Sequence, residues 1–393
     1  MTASYLRLTA CDPIVTRDGR PFGVGQGNRM KGLAWPYPSV VAGSFRTALV
    51  KATKGRDFTG DTPTKLMAIP VAGVFPVADG KLYLPAPSDC FVHRDKGPLQ
   101  VYPQPPVAGG CDFPAAGLWP VMLTEEQAKT DAKPEETPAW WPVDDKLTAW
   151  LTEKSVAFDD RTFLSAAKSQ VRDHVQLDCV TGAAAESQLF ATEGLSLTHL
   201  PRFGVKEGRF EDKYADITLS ARVEADGWNV ATLNMLHPLG GERRLVRWQA
   251  NGNGALWTCP PAVANALAGA NRIRMVLATP AVFKHGWRPN WINEATLTGR
   301  PDWWADGPNL QLVGVSIARW KAVSGWSLAE PRGPKPIKRL APAGGVYFFK
   351  TNDNAASLKD RWLQPVSDEV QDRNDGFGLA VWGVWGSAIG GKT

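Results

Sequence analysis

The sequence predicts an α+β chain of two ferredoxin-like units, and three observations carry that prediction. At 393 residues the chain exceeds what one small core holds. Apolar runs with strand period alternate with helical stretches in an order that matches a split βαβ unit and begins twice. A proline- and tryptophan-rich insertion and a long hairpin interrupt the first unit.

Residues 4–10 (SYLRLTA) alternate Leu6, Leu8 and Ala10 with Tyr5, Arg7 and Thr9, the period of a half-buried strand. A helix follows Pro38, with Ser39 as N-cap, Val40, Val41, Phe45, Leu49 and Ala52 on one face, and Lys51 and Lys54 before Gly55. Gly43 inside it costs about 1 kcal/mol relative to alanine and suggests a close backbone neighbour. Runs 71–77 and 81–87 read as strands. The stretch at about 97–155, with TEEQAKTDAKPEETP inside it, reads as a solvated insertion. Residues 172–197 form a thumb-like hairpin turning at Thr181 and Gly182. RLVRWQA (244–250) opens the second unit, followed by a helix at 260–270 and strands at 273–283, 310–323 and 345–351. A short helix at 357–363 and a last strand at 377–385 complete it. The first unit thus covers 1–235 and the second 236–393.

Composition narrows the function. A hydrophobic fraction of 44% with 21% charged residues is that of a folded globular chain and argues against wholesale disorder. The net charge of +5 is too small to define a partner, so nucleic-acid contact has to rest on local clusters. Five scattered cysteines (Cys11, Cys90, Cys111, Cys179, Cys259) fit neither a disulfide framework nor a zinc knuckle, and imply a reducing cytoplasm. No signal peptide opens the chain, and the glycine-rich run 376–391 is too short to span a membrane, so no membrane partner is expected. The five histidines show no metal-ligand spacing, and there is no GxSxG elbow, so no metal or cofactor is expected. GVGQG lacks the tight strand-to-helix passage of a dinucleotide site, and the terminal GSAIGGKT lacks the helix that a phosphate loop feeds.

One stretch stands apart. Residues 12–46 set Arg17, Arg20, Arg29 and Lys31 among Gly19, Gly23, Gly25, Gly27 and Gly32, before the helix that begins near Ser39 and carries Arg46. Glycines admit a ligand close to the backbone, guanidinium groups grip phosphates bidentately, and a helix start favours anions. The alternative is a mobile surface loop. Glycine is again set against a strand at 239–248, 334–348 and 375–383 (Gly376, Gly378), and the first two add Arg243, Arg244, Lys338 and Arg339; solvated edge strands with protective cations are the alternative. Arg172 and His174 stand at the hairpin base. His174 or His93 beside arginines also suits acid–base cleavage of RNA.

These motifs, DPIVTRDGRPF, WPYPSVVAGSFRTAL, RDHVQLDCVTGAAAESQLFATEGL, LGGERRL, KRLAPAGGVYFF and GFGLAVWGVW, resemble in fixed order subunit three of the Cmr effector complex of type III-B CRISPR–Cas systems, in the repeat-associated mysterious protein (RAMP) superfamily. The resemblance implies two RRM-like RAMP domains and a non-catalytic RNA-binding subunit in antiviral defence. Such a subunit holds the 5′ tag of the guide RNA and contacts the large polymerase/cyclase-like subunit, the backbone subunit and other RAMP subunits, meeting target RNA indirectly. The RNA-facing set it implies here is Arg17, Arg20, Gly23, Gly25, Gly27, Lys31, Ser39, Arg46, Gly376 and Gly378, beside the basic clusters Arg172, His174, Arg243, Arg244, Lys338 and Arg339. A RAMP-type endoribonuclease that processes precursor guide RNA, and the equivalent type III-A subunit, are the alternatives.

Overall fold

Two antiparallel sheets share one apolar core in the computed structural model, which describes residues 3–18, 29–54, 58–93, 99–110, 114–123, 133–153, 160–327 and 332–386. The first sheet runs, in spatial order, Asn234–Pro238, Leu245–Gln249, Ser4–Ala10, Thr218–Val223, Val71–Ala78, Lys81–Pro85 and Trp140–Pro142. Ser4–Ala10 sits between two partners, with Leu6 opposite Ala221 and Leu8 opposite Trp248, all fully buried. The alternation read in the sequence therefore points one face of this strand at the helix Pro38–Lys54, whose Val41, Phe45 and Leu49 complete that layer.

The second sheet is ordered Thr298–Gly299, Leu310–Ser316, Val346–Lys350, Arg272–Leu277, Leu379–Val384 and Gln364–Pro365. Val346, Tyr347, Phe348 and Phe349 are all fully buried, as continuous apolar runs require when both faces are covered. Its side chains join Ala72 and Phe75 of the first sheet in one cluster. No described helix is long and apolar enough to cross a membrane.

Several expectations are corrected. Leu245–Gln249, expected to open the second unit, pairs with Ser4–Ala10, and Asn234–Pro238 pairs with Leu245–Gln249, so both strands lie in the first sheet. The insertion is only partly solvated. Trp141 is fully buried, and the helix Asp145–Leu151 buries Leu147, Trp150 and Leu151 in the shared core. The Trp119 amide donates to the Val313 carbonyl at 2.7 Å, and its side chain packs against the shared core. Residues 124–132, which hold most of its charged run, lie outside the described residues. The expected strands 273–283 and 310–323 each break. Their ends, Ala281–Val282 and Lys321–Val323, flank Lys338–Ala341 in a separate three-stranded sheet. Ala355–Arg361 is a 3-10 helix, and a further short helix, Val370–Asn374, precedes the last strand. Gly43 faces open space, so no close neighbour explains it.

A buried ion cluster fastens the insertion to the second sheet. Arg274, with a side chain 2% exposed, lies 2.9 Å from Asp89 and 3.3 Å from Glu153, and Asp89 also accepts from the Trp150 indole at 3.1 Å. Burial pushes the Asp89 carboxyl upward, against the pull of the Arg274 charge. Removing one partner of such a pair leaves an uncompensated charge. Arg274→Met is therefore expected to destabilise the chain by about 3 kcal/mol or more in chemical denaturation, with Asp89→Asn in the same chain recovering part of the loss.

Candidate functional site

Three segments far apart in sequence meet beside the base of the hairpin. The amide and carbonyl of Ile14 exchange hydrogen bonds of 2.8 Å with Leu195, on the hairpin strand Ala184–Leu195. One residue on, the Gly241 amide donates to the Val15 carbonyl at 2.7 Å. The return leg closes on the outgoing one: Leu33 N–H donates to Thr16 at 2.7 Å, Asp18 N–H to Lys31 at 3.1 Å, and Met30 N–H to Ala191 at 2.8 Å. Arg17 and Gly32 are bridged, so the flanks of the glycine-rich stretch form an antiparallel pair. Two glycines make this approach possible. A side chain on Gly194 would press on Pro13, and Gly240, at φ +78°, holds a left-handed turn directly against the Val15 carbonyl.

Convergence gathers Arg17, Arg29, Lys31, Arg172, Arg243 and Arg244, with Asp12, Asp18, Asp173, Glu186, Glu193 and Glu242 on the same segments. Arg17, Lys31, Arg172 and Arg243 are exposed. Arg172 and Arg244 line a small cleft with Pro13, Val15, Gln170, Thr192 and Gly194. The Arg244 Nε is buried with no hydrogen-bond partner among the described residues. Glu193 accepts from the Gly32 amide at 3.3 Å and lies 3.7 Å from Arg29. A hydrogen bond from Ser169, then the Gly32 N–H and the charges of Arg29 and Lys31, hold its carboxyl below the usual glutamate range, against the opposing effect of burial. Sequence reading does not single out Glu193, because it is one of four acids in the hairpin and only the fold brings it against the basic loop.

The other expected residues fare differently. Arg20, Gly23, Gly25 and Gly27 lie outside the described residues. His174 bonds Thr192 at 2.8 Å and stacks on Phe190 at 5.0 Å, which gives it a cross-strand place within the hairpin. His93 is 3% exposed between Phe91 and Tyr102, too deep to meet an RNA phosphate, which corrects its reading as a cleaving base. The helix begins at Pro38, so Ser39 falls in its first turn instead of capping it. Arg46 is corrected: it is buried, 2.5 Å from Asp375, and also donates to the carbonyls of Ile69 and Asn374, so its charge is spent inside the chain. Gly376 and Gly378 are corrected too. Both have positive φ and press against Val71 and Ser367, packing that leaves no room for a ligand. Lys338 contacts both carboxylate oxygens of Asp372 at 2.8 Å, while Arg339 is exposed over the Trp320 ring. Among the described residues no group of three His, Cys, Asp or Glu side chains is placed to hold a metal ion.

A family model described as CRISPR-associated protein (Cas_Cmr3) matches residues 6–385. Solved structures similar to the chain include subunits of a type III-B Cmr-beta complex bound to cognate target RNA, with or without AMPPnP. These are 12% identical with AMPPnP and 13% without it, each covering 88% of this chain and 86% of the other at a TM-score of 0.45. A chain of the Csm3–Csm4 subcomplex of a type III-A interference complex is 10% identical, covering 90% of this chain and 94% of its own at a TM-score of 0.33. No curated protein matches the chain significantly.

Because the Glu193 carboxyl is depressed, its hold on Gly32 is present above the ordinary glutamate pKa of about 4.3 and fades only as pH falls through the lower folded value. Amide exchange should show Gly32 protected through neutral pH and down past that range. Glu193→Gln should speed exchange of Gly32 and Met30 several-fold at pH 7.

Proposed function

The chain belongs to the Cas_Cmr3 family of CRISPR-associated proteins, and from that premise we propose that it is the non-catalytic RNA-binding subunit of a type III-B effector that holds the 5′ tag of the guide RNA. In this role it bridges the large polymerase/cyclase-like subunit to the backbone subunit, and cleavage belongs to its neighbours. The observation that supports the reading is the convergence of Arg17, Lys31, Arg172, Arg243 and Arg244 from three separated segments onto one surface. Cations so collected follow a phosphate backbone, their guanidinium groups gripping its oxygens in pairs.

Domain organisation supports the same reading. In the first sheet Leu245–Gln249, Ser4–Ala10, Thr218–Val223 and Val71–Ala78 lie side by side, and in the second Leu379–Val384, Arg272–Leu277, Val346–Lys350 and Leu310–Ser316 do so. Both have the strand order of a split βαβ unit, fourth, first, third, second. We assign each sheet to one RRM-like RAMP domain, the hairpin Ser169–Leu177 with Ala184–Leu195 serving as a thumb toward the neighbouring subunit. The glycines between Arg20 and Gly27 then give the tag close backbone approach.

Replacing Arg17 and Arg20 together by alanine should weaken tag-RNA binding and flatten its salt dependence by roughly one to two units of slope, measured by titration of the assembled complex at several salt concentrations. Unchanged affinity and slope would remove the tag-binding role.

A further inference from the structure

We infer that the two-stranded arm at 318–341 is a stacking platform for unpaired guide-RNA nucleotides, with Trp320 and Trp326 as its base-facing residues. This rests on the RNA-binding role proposed above but concerns a different surface. The arm leaves the second sheet after Leu310–Ser316, and its base pairs Lys321–Val323 with Lys338–Ala341. Farther out, Trp326 pairs with Pro334, Lys335 N–H donates to the Gly325 carbonyl at 2.8 Å, and the tip at 328–331 lies outside the described residues. Val323 and Leu340 anchor the base in a small cluster with Val282 and Phe377. The rest of the ribbon is solvated.

Its surface combines two features that ordinary solvated ribbons keep apart. Trp320 is 54% exposed, Trp326 64% and Ile337 75%, a large apolar exposure for so short a segment. Around them the sequence places Arg319, Lys321, Arg332, Lys335, Lys338 and Arg339 against a single acid of the arm, Glu330, with Lys338 and Lys335 also drawn to Asp372 and Asp375 beneath it. The Arg339 guanidinium lies 5.0 Å from the Trp320 ring centroid, which braces the indole while more than half of its surface stays in water. Protein-docking tryptophans sit in interface cores depleted of lysine. Aromatic rings interleaved with cations are instead the pattern that holds single strands, with bases on the rings and phosphates on the charges.

Position points the same way. The Tyr37 hydroxyl donates to the Ala322 carbonyl at 3.4 Å, and Tyr37 packs on the cluster under the arm. Tyr37 ends the segment that starts at the glycine-rich loop, so the arm's base abuts the exit of the stretch proposed to hold the tag.

The test uses the chain assembled with guide RNA carrying 5-iodouridine at one position at a time through its first ten nucleotides, irradiated and mapped by peptide mass spectrometry. At least one position is expected to crosslink to the peptide containing Trp320 or Trp326. Trp320→Ala with Trp326→Ala should lower that yield, and the affinity of the full chain for an eight-nucleotide oligouridine, at least tenfold. Trp320→Phe with Trp326→Phe should keep both within threefold, because stacking survives. The inference is overturned if crosslinks reach other parts of the chain but never the arm, or if the alanine variant keeps full RNA affinity while losing a protein subunit from the complex. The tag-binding role fails separately: there the Arg17 and Arg20 variant has no effect while the arm still crosslinks.

Discussion

A buried guanidinium holds the two sheets in register with each other. Arg46, on the helix that follows the first strand, donates to Asp375, Ile69 and Asn374, reaching across more than 300 residues of sequence to the turn before the last strand. Asp375 is further held by Gln371 at 2.9 Å, so the charge pair is embedded in hydrogen bonds, the condition under which a buried pair is tolerated. Directly beyond it Gly376 closes on the Val71 carbonyl and the side chain of Pro38. The start of the helix, the start of the strand Val71–Ala78 in the first sheet and the approach to the last strand of the second are thereby fixed at one point, with the base of the tryptophan arm alongside.

That fixed point explains why the glycine-rich stretch is placed as it is. Its exit, through Trp35 and Tyr37, is pinned: the Trp35 indole donates to Val74 at 3.1 Å and packs against Trp140. Its entrance is pinned by Ile14 and Val15 on the hairpin and on the turn at 239–244. The backbone of the flanks is satisfied by pairing with the chain itself, so the stretch is not held by a ligand along its whole length. In the role proposed above, a ligand's share is left to the exposed cations. Glycine here has two physical uses. Gly194 and Gly240 let one segment of the chain lie on another, whereas Gly23, Gly25 and Gly27 occupy the part proposed to meet RNA.

Periodicity made most of the strands legible. Ser4–Ala10, Val71–Ala78, Lys81–Pro85 and Val346–Lys350 follow from alternating or continuous apolar runs, and the hairpin from two alternating runs around Thr181 and Gly182. The basic segments were also visible as composition. What the local pattern missed was pairing between distant runs. Leu245–Gln249 reads identically whether its partner is the first strand or a strand of a second unit, because alternation specifies a face and not a neighbour. The insertion was read as solvated because proline punctuation and charge outweighed its tryptophans, yet Trp141 and Trp150 are core.

The sequence by itself determined which residue types are present to bind a polyanion, which runs form strands, and the family to which they belong. Only the tertiary structure decided which cations remain available. Arg46 and Arg17 are the same side chain in the same loop-to-helix stretch, but one meets a carboxylate brought from the far end of the chain and the other meets water. A charge's role depends on its dielectric surroundings and partners, and both are set by contacts between residues that local sequence does not place together.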